Sequence, residues 1–253
     1  ATGFDDTAGN SYAGITDTTS LSFTTADIVA PTISSFSSST SDGSYNVGDT
    51  INITATASES IQSGNTLTVT LDTGDTVLLT AASAGTTLTG TYTVGAGDTS
   101  SDLTVSSFAI GTVEDTAGNA MTSTTVPSSN NIADNSAIVV DTSAPTLSSS
   151  SPADDATAVA VGSNIVLNFS EAVDVESGDI VIYKTSDNSV IETIAVGSGQ
   201  VTGTGTTQIT INPSSDLASS TEYYVQIAAT GFDDTAGNSY AGITDTTSLS
   251  FTT

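Results

Sequence analysis

The sequence predicts an all-β chain, built as tandem antiparallel β-sandwiches with Greek-key connections. Three observations predict it. First, short runs such as TINITATA (Thr50–Ala57) alternate with period two and are rich in β-branched residues. Second, these runs are separated by turn signals built from Gly, Asp and Asn, such as Ser41-Asp42-Gly43 and Val47-Gly48-Asp49. Third, the chain repeats itself. ATGFDDTAGNSYAGITDTTSLSFTT stands at residues 1–25 and, unchanged, at residues 229–253, an offset of 228. The linker pattern around Asp27 and Pro31 recurs at Asp141 and Pro145, an offset of 114, half of that period. The repeat is therefore two related domains of similar length. No segment shows helical periodicity over a useful length.

Taken in order, residues 1–25 hold a polar, Gly-rich loop (Gly3–Gly14) and a short alternating strand, Ser20–Thr25. They read as the C-terminal end of a preceding repeat domain. Residues 26–141 read as one sandwich, opening on the linker Ala26–Thr32. Its expected strands are Thr32–Ser37, Thr50–Ala57, Thr66–Leu71, Val77–Thr80, Thr86–Val94, Leu103–Ile110 and Ala137–Val140. Residues 142–253 read as a second sandwich on the same plan. Its strands are expected at Asn164–Phe169, Asp179–Lys184, Val190–Val196, Gln208–Ile211, Tyr223–Ala228 and Leu249–Thr253. The stretch Pro213–Glu222 is typical of a crossing loop, with room for one helical turn. Tyr223 and Tyr224 are expected in the core, one as a corner tyrosine.

Composition removes several function classes. The chain carries 28 acidic residues and a single basic one, Lys184, for a net charge of -27. Such a polyanion is repelled by nucleic-acid phosphates and by anionic membrane surfaces. Yet only 11% of residues are charged, which is not the make-up of a disordered acidic tail. With no Cys, disulfides and thiolate metal sites are excluded. The absence of His removes the usual general base and zinc ligand. No apolar run is long enough to span a bilayer as a helix. A catalytic carboxylate pair would need a groove and aromatic sugar platforms, and the chain has no Trp. It is expected not to be an enzyme. Thr and Ser dominate the outward strand positions, as suits a soluble sheet surface. The alternative is a face that recognises polysaccharide or ice.

Acidic features recur at matching places. Glu59 and Glu171 each follow a Ser just past an alternating strand. The pairs Asp5-Asp6, Glu114-Asp115 and Asp233-Asp234 open loops that close on Asn10, Asn119 and Asn238. Asp27 and Asp141 stand in the linkers. A hard divalent cation takes six to eight oxygen ligands from carboxylates, amides, carbonyls and water. Calcium (Ca2+) is thus the expected cofactor, with these thirteen residues as candidate ligands. It would also relieve repulsion among carboxylates brought together. The plainer reading of each loop is a hairpin turn, since Asp, Gly and Asn are common turn residues.

The A-P-T domain start, Asn168–Asp174 (NFSEAVD), the D-D-T-A-G-N loop and Ser41–Glu59 together resemble bacterial Ig-like repeat domains of giant extracellular adhesins. The resemblance is to the biofilm-associated and RTX-adhesin extender types. The second domain, with Ser151–Val159 (SPADDATAV), is similar to the S-layer-type Ig-like domain. The resemblance implies secretion to the cell surface, a stalk or filament role, and calcium at loops and domain junctions. The expected partners are further copies of the same repeat, in the same chain or a neighbouring filament subunit. Surface glycans are the alternative. No nucleic acid and no membrane insertion are expected. Residues 1–25 are expected either to complete the same kind of domain elsewhere or to be an overhang.

Overall fold

A computed structural model describes residues 3–253, so the first two residues of the expected 1–25 segment lie outside the described residues. The first unit runs β1 (Ile33–Ser37), β2 (Gly43–Tyr45), β3 (Thr50–Ile61), β4 (Thr66–Leu71), β5 (Thr76–Thr80), β6 (Gly85–Thr93), β7 (Thr99–Ser100), β8 (Val105–Thr112) and β9 (Ile138–Asp141). One sheet is ordered β1-β3-β6-β5-β4-β8, and the second β2-β9-β7. Alternation along β3 decides its facing. Ile51, Ile53, Ala55 and Ala57 are buried, while Asn52, Thr54 and Thr56 point outward between them. They pack with Leu67, Val69, Leu79, Leu88, Ile138 and Val140 in one core, where Phe36 meets Phe108 edge-on at 5.6 Å.

The second unit runs β10 (Leu147–Ser151), β11 (Ile165–Val175), β12 (Asp179–Lys184), β13 (Ser189–Ala195), β14 (Val201–Thr202), β15 (Thr206–Ile211), β16 (Glu222–Ile227), β17 (Phe232–Asp233) and β18 (Ser250–Thr252). One sheet is ordered β10-β11-β15-β14, with β17 added to β11, and the other β13-β12-β16-β18. A separate core lies between them, including Ile165, Leu167, Ile180, Ile182, Val225 and Phe251. The chain is thus all-β, with two β-sandwich cores on either side of Asp141. The hydroxyl of Tyr223 accepts from the Ala218 amide at 3.0 Å, tying β16 to the preceding crossing loop.

The pairing departs from pure antiparallel order at one named strand pair. β2 runs parallel to β9, with Gly43 opposite Ile138 and Tyr45 opposite Val140. The second unit echoes this with a single parallel bridge, Ala156 to Phe251. Two sequence expectations need correction. Residues 213–221 form bends and a turn without a helical turn, and Glu222 already opens β16; the one helical turn among the described residues is a 3-10 turn at Ile132–Asp134, capped by Asn131. Ser20–Thr25 forms no strand. In the identical copy, residues 248–253, the stretch Ser250–Thr252 does, because it lies against β16, whereas among the described residues nothing offers residues 20–25 a neighbouring strand to bond.

Candidate metal centre

The long strands β3 and β11 each carry an irregularity that aims a glutamate. The β3–β6 register shifts between Thr56 and Ile61, and the β11–β15 register between Asn168 and Val173. Glu59 and Glu171 lie inside those breaks, where the bulging strand re-aims its side chains. The linker is tied to each break in the same way. The Ser58 amide donates to the Thr32 carbonyl at 2.8 Å, and the Thr32 amide to the Ser58 hydroxyl at 3.0 Å. Ser170 and Thr146 make the same two bonds at 2.8 and 3.0 Å. These ties bring Asp27 and Asp141 beside the glutamates. In each linker the Asp also folds its own turn, accepting from the amide of Val29 at 3.0 Å or Ser143 at 2.9 Å.

The loop aspartates arrive from the far end of each unit. Ile61 bridges Asp115 in the first unit, and β17 pairs Phe232 with Val175 in the second. Within the loop, Asp115 Oδ1 accepts from the amides of Ala117 and Asn119, both at 2.8 Å, and Oδ2 from Asn119 Nδ2 at 2.7 Å. Asp234 repeats this with Ala236 and Asn238, all three bonds at 2.8 Å. The turn depends on Gly118 and Gly237, which hold φ of 93° and 86°, a region costly for residues with a Cβ. The second amide hydrogen of each Asn reaches the linker: Asn119 donates to the Asp27 carbonyl at 3.2 Å, and Asn238 to the Asp141 carbonyl at 3.0 Å.

The outcome is the same constellation twice. Carboxylate oxygens of Asp27, Glu59 and Asp115 all lie within 4.8 Å of one another, and so do those of Asp141, Glu171 and Asp234. Asp115 and Asp234 are buried, the glutamates half-buried. Burial, then Asp27 and Asp115, raise the carboxyl pKa of Glu59 above its ordinary value. Burial, then Asp141 and Asp234, do the same for Glu171. The Asn119 side chain, ahead of its amide and those of Ala117 and Gly118, pulls Asp115 below the usual range. Each group offers an all-oxygen, hard donor set, which suits calcium better than soft or borderline metals.

The remaining candidates stand elsewhere. Glu114 is exposed, and its carbonyl, not its carboxylate, is engaged, by Gln62 and Asn65. Asp233 pairs with Asp174 across β17 and β11, and its Oδ1 is buried without a hydrogen-bond partner. Successive residues of an extended segment face opposite sides, so only the second acid of each pair meets the glutamate. Asn119 and Asn238 present their amide nitrogens and act as struts. Asp5, Asp6 and Asn10 form the same loop, with Asn10 Nδ2 donating to Asp6 Oδ2 at 2.9 Å, but among the described residues they belong to no three-carboxylate group. The serine ties were absent from the candidate residues; the recurring Ser-Glu dipeptide was their signal.

No helix among the described residues is long and apolar enough to cross a membrane. Residues 141–253 match the family model of a bacterial Ig-like domain. The matched stretch is the second unit together with Asp141 of the joint. Domains of this family typically occur in surface or extracellular bacterial proteins and are generally non-enzymatic. No curated protein matches the chain.

Proposed function

We propose that this chain, whose second unit is a bacterial Ig-like domain, is a repeating segment of an extracellular bacterial adhesin stalk or filament, stiffened by calcium where its units join. One observation carries the reading. The same three-carboxylate group is assembled twice, each time from a linker Asp, a strand Glu and a loop Asp. A cation bridging them fixes the linker to the unit that follows it. In the second group Asp141 ends β9 of the first unit while Glu171 and Asp234 belong to the second. Binding there sets the angle between units, which is what a stalk requires. The cation also offsets the mutual repulsion of the carboxylates and part of the net charge of -27. Calcium should raise the melting temperature and narrow the distribution of interdomain distances in small-angle scattering, and chelation should reverse both. In Glu171→Gln the second unit should lose its share of the calcium response. Absence of any calcium effect on melting and scattering removes the calcium part of this reading.

A second reading, recognition of polysaccharide or ice, draws on cross-strand threonine pairs. Thr54 lies opposite Thr89, Thr56 opposite Thr87, and Thr66 opposite Thr80. The face they share is split where β5 meets β6 through the single registered pair Thr80–Thr89, and where Leu78 protrudes 60% exposed. Binding to a glycan array or to growing ice would favour this reading; no binding to either favours the spacer.

A further inference from the structure

The joint between the two units is held from both sides. Asp141 is the last residue of β9, and its carbonyl accepts from Asn238 Nδ2 of the second unit at 3.0 Å. The next residue, Thr142, is held by the first unit. Its hydroxyl donates to the Asp98 carbonyl at 3.0 Å and accepts from the Gly97 amide at 3.1 Å. Two consecutive residues, joined by a planar peptide bond, are thus gripped by opposite units. No residue separates the two grips to absorb a hinge rotation.

The turn that grips Thr142 is itself anchored. Asp98 Oδ2 accepts from Tyr92 Oη at 2.5 Å and from the Gly95 amide at 2.6 Å. Tyr92 belongs to β6, and its ring is buried in the first core. A line of contacts therefore runs from that core through Tyr92, Asp98 and Thr142 to the linker. β7 adds a tie beside it, with Thr99 opposite Asp141. Across the joint, Asn46 of the first unit stands over the loop of the second. Its Nδ2 lies 3.3 Å from the position a Cβ on Gly237 would take. At the matching place in the first linker, 114 residues before Thr142, stands Ile28, which has no hydroxyl to offer.

We propose that Thr142 is a positioning residue that latches the joint between the units without a metal ion. Its hydroxyl, seated between the Gly97 amide and the Asp98 carbonyl, fixes the second unit against the first before any cation binds. Neighbouring domains with a small polar contact move relative to each other by default, and this latch restrains that motion. It serves the stalk reading but does not depend on calcium.

The chain has no cysteine, so two can be introduced as spin-label sites. Thr76→Cys and Thr193→Cys place them on exposed strand positions, one in each unit. Pulsed electron resonance on the full chain, with a chelator present, then reads the spread of distances between units. The parent pair should give one narrow distribution. Thr142→Val keeps the shape of the side chain without its hydroxyl and should lose the narrow distribution. Thr142→Ser keeps the hydroxyl and should restore it. Tyr92→Phe, which frees the anchor of the turn, should broaden the distribution as well. Both melting transitions should stay in place in Thr142→Val, which separates a loosened joint from a damaged unit. Equal widths for the parent and Thr142→Val, a Thr142→Ser chain as broad as Thr142→Val, or broadening only where a unit has melted overturns the proposal. Calcium added afterwards tests the other reading separately: if it narrows none of the distributions, the calcium reading falls and the latch stands.

Discussion

The side-chain amide of Asn238 spans two units of structure, donating to Asp234 Oδ2 at 2.8 Å and to the Asp141 carbonyl at 3.0 Å. Those acceptors lie 4 and 97 residues away in sequence. One amide group thus holds both the loop carboxylate and the last residue of the preceding strand. Asn238→Ala should destabilise the second unit by about 1–3 kcal/mol, because a partly buried carboxylate loses a charge-assisted bond. Asn238→Asp should cost more without calcium, since it adds a fourth carboxylate to the group, and calcium should narrow that difference. Calorimetry with and without calcium checks both.

Asp245 gives the second unit an acid-sensitive turn. The Ser248 hydroxyl, then the amides of Thr247 and Ser248, lower its pKa from 3.8 to about 2. A carboxylate depressed by folding contributes stability that is present in full above its unfolded value and lost as pH falls through the folded one. Its share should therefore disappear between pH about 4 and about 2. Urea unfolding across that interval should show a shallower pH slope for Asp245→Asn than for the parent chain. Equal slopes would mean that the turn is not maintained in solution.

Phe169 is the ring around which the second core closes, flanked by Phe232 and Tyr240. Phe169→Ala should cost about 3–5 kcal/mol through lost burial and the cavity left behind. The loss should fall on the second unit, because the first unit packs a different core around Phe36 and Phe108. Two resolved thermal transitions, of which one moves, are the expected outcome.

Much of this architecture was legible from alternation. β3 reads directly from TINITATA because every second side chain is apolar, and β12 from the short apolar run Ile180–Tyr183 of DIVIYK. The short strands β2, β7, β14 and β17 were not legible. Two or three residues carry no period, and these strands exist only because a longer strand lies beside them. The failure of Ser20–Thr25 to form a strand is the same lesson reversed: its sequence is that of residues 248–253, which hold the strand Ser250–Thr252, but its surroundings differ. At the candidate centre, recurrence singled out Asp27, Glu59, Asp115, Asp141, Glu171 and Asp234 among a wider set. It could not separate Asp115 from Glu114 or Asp234 from Asp233. That choice rests on which way consecutive side chains face once the loop is anchored to β3 or β11. Nor could residue identity tell that Asn119 and Asn238 turn nitrogen, not oxygen, toward the carboxylates.

The parallel run of β2 beside β9 has a mechanical consequence. Gly43 faces Ile138 and Tyr45 faces Val140, so the early and the final strand of the unit point the same way. A pull applied through the linkers at the two ends of the unit then drags these strands past each other lengthwise. Their hydrogen bonds are loaded together, in shear, and must fail together. An antiparallel pair pulled from one end would unzip bond by bond at far lower force. Tension that has passed β1, which lies between the linker and β2, is therefore met by the strand pair that joins the early part of the unit to its end.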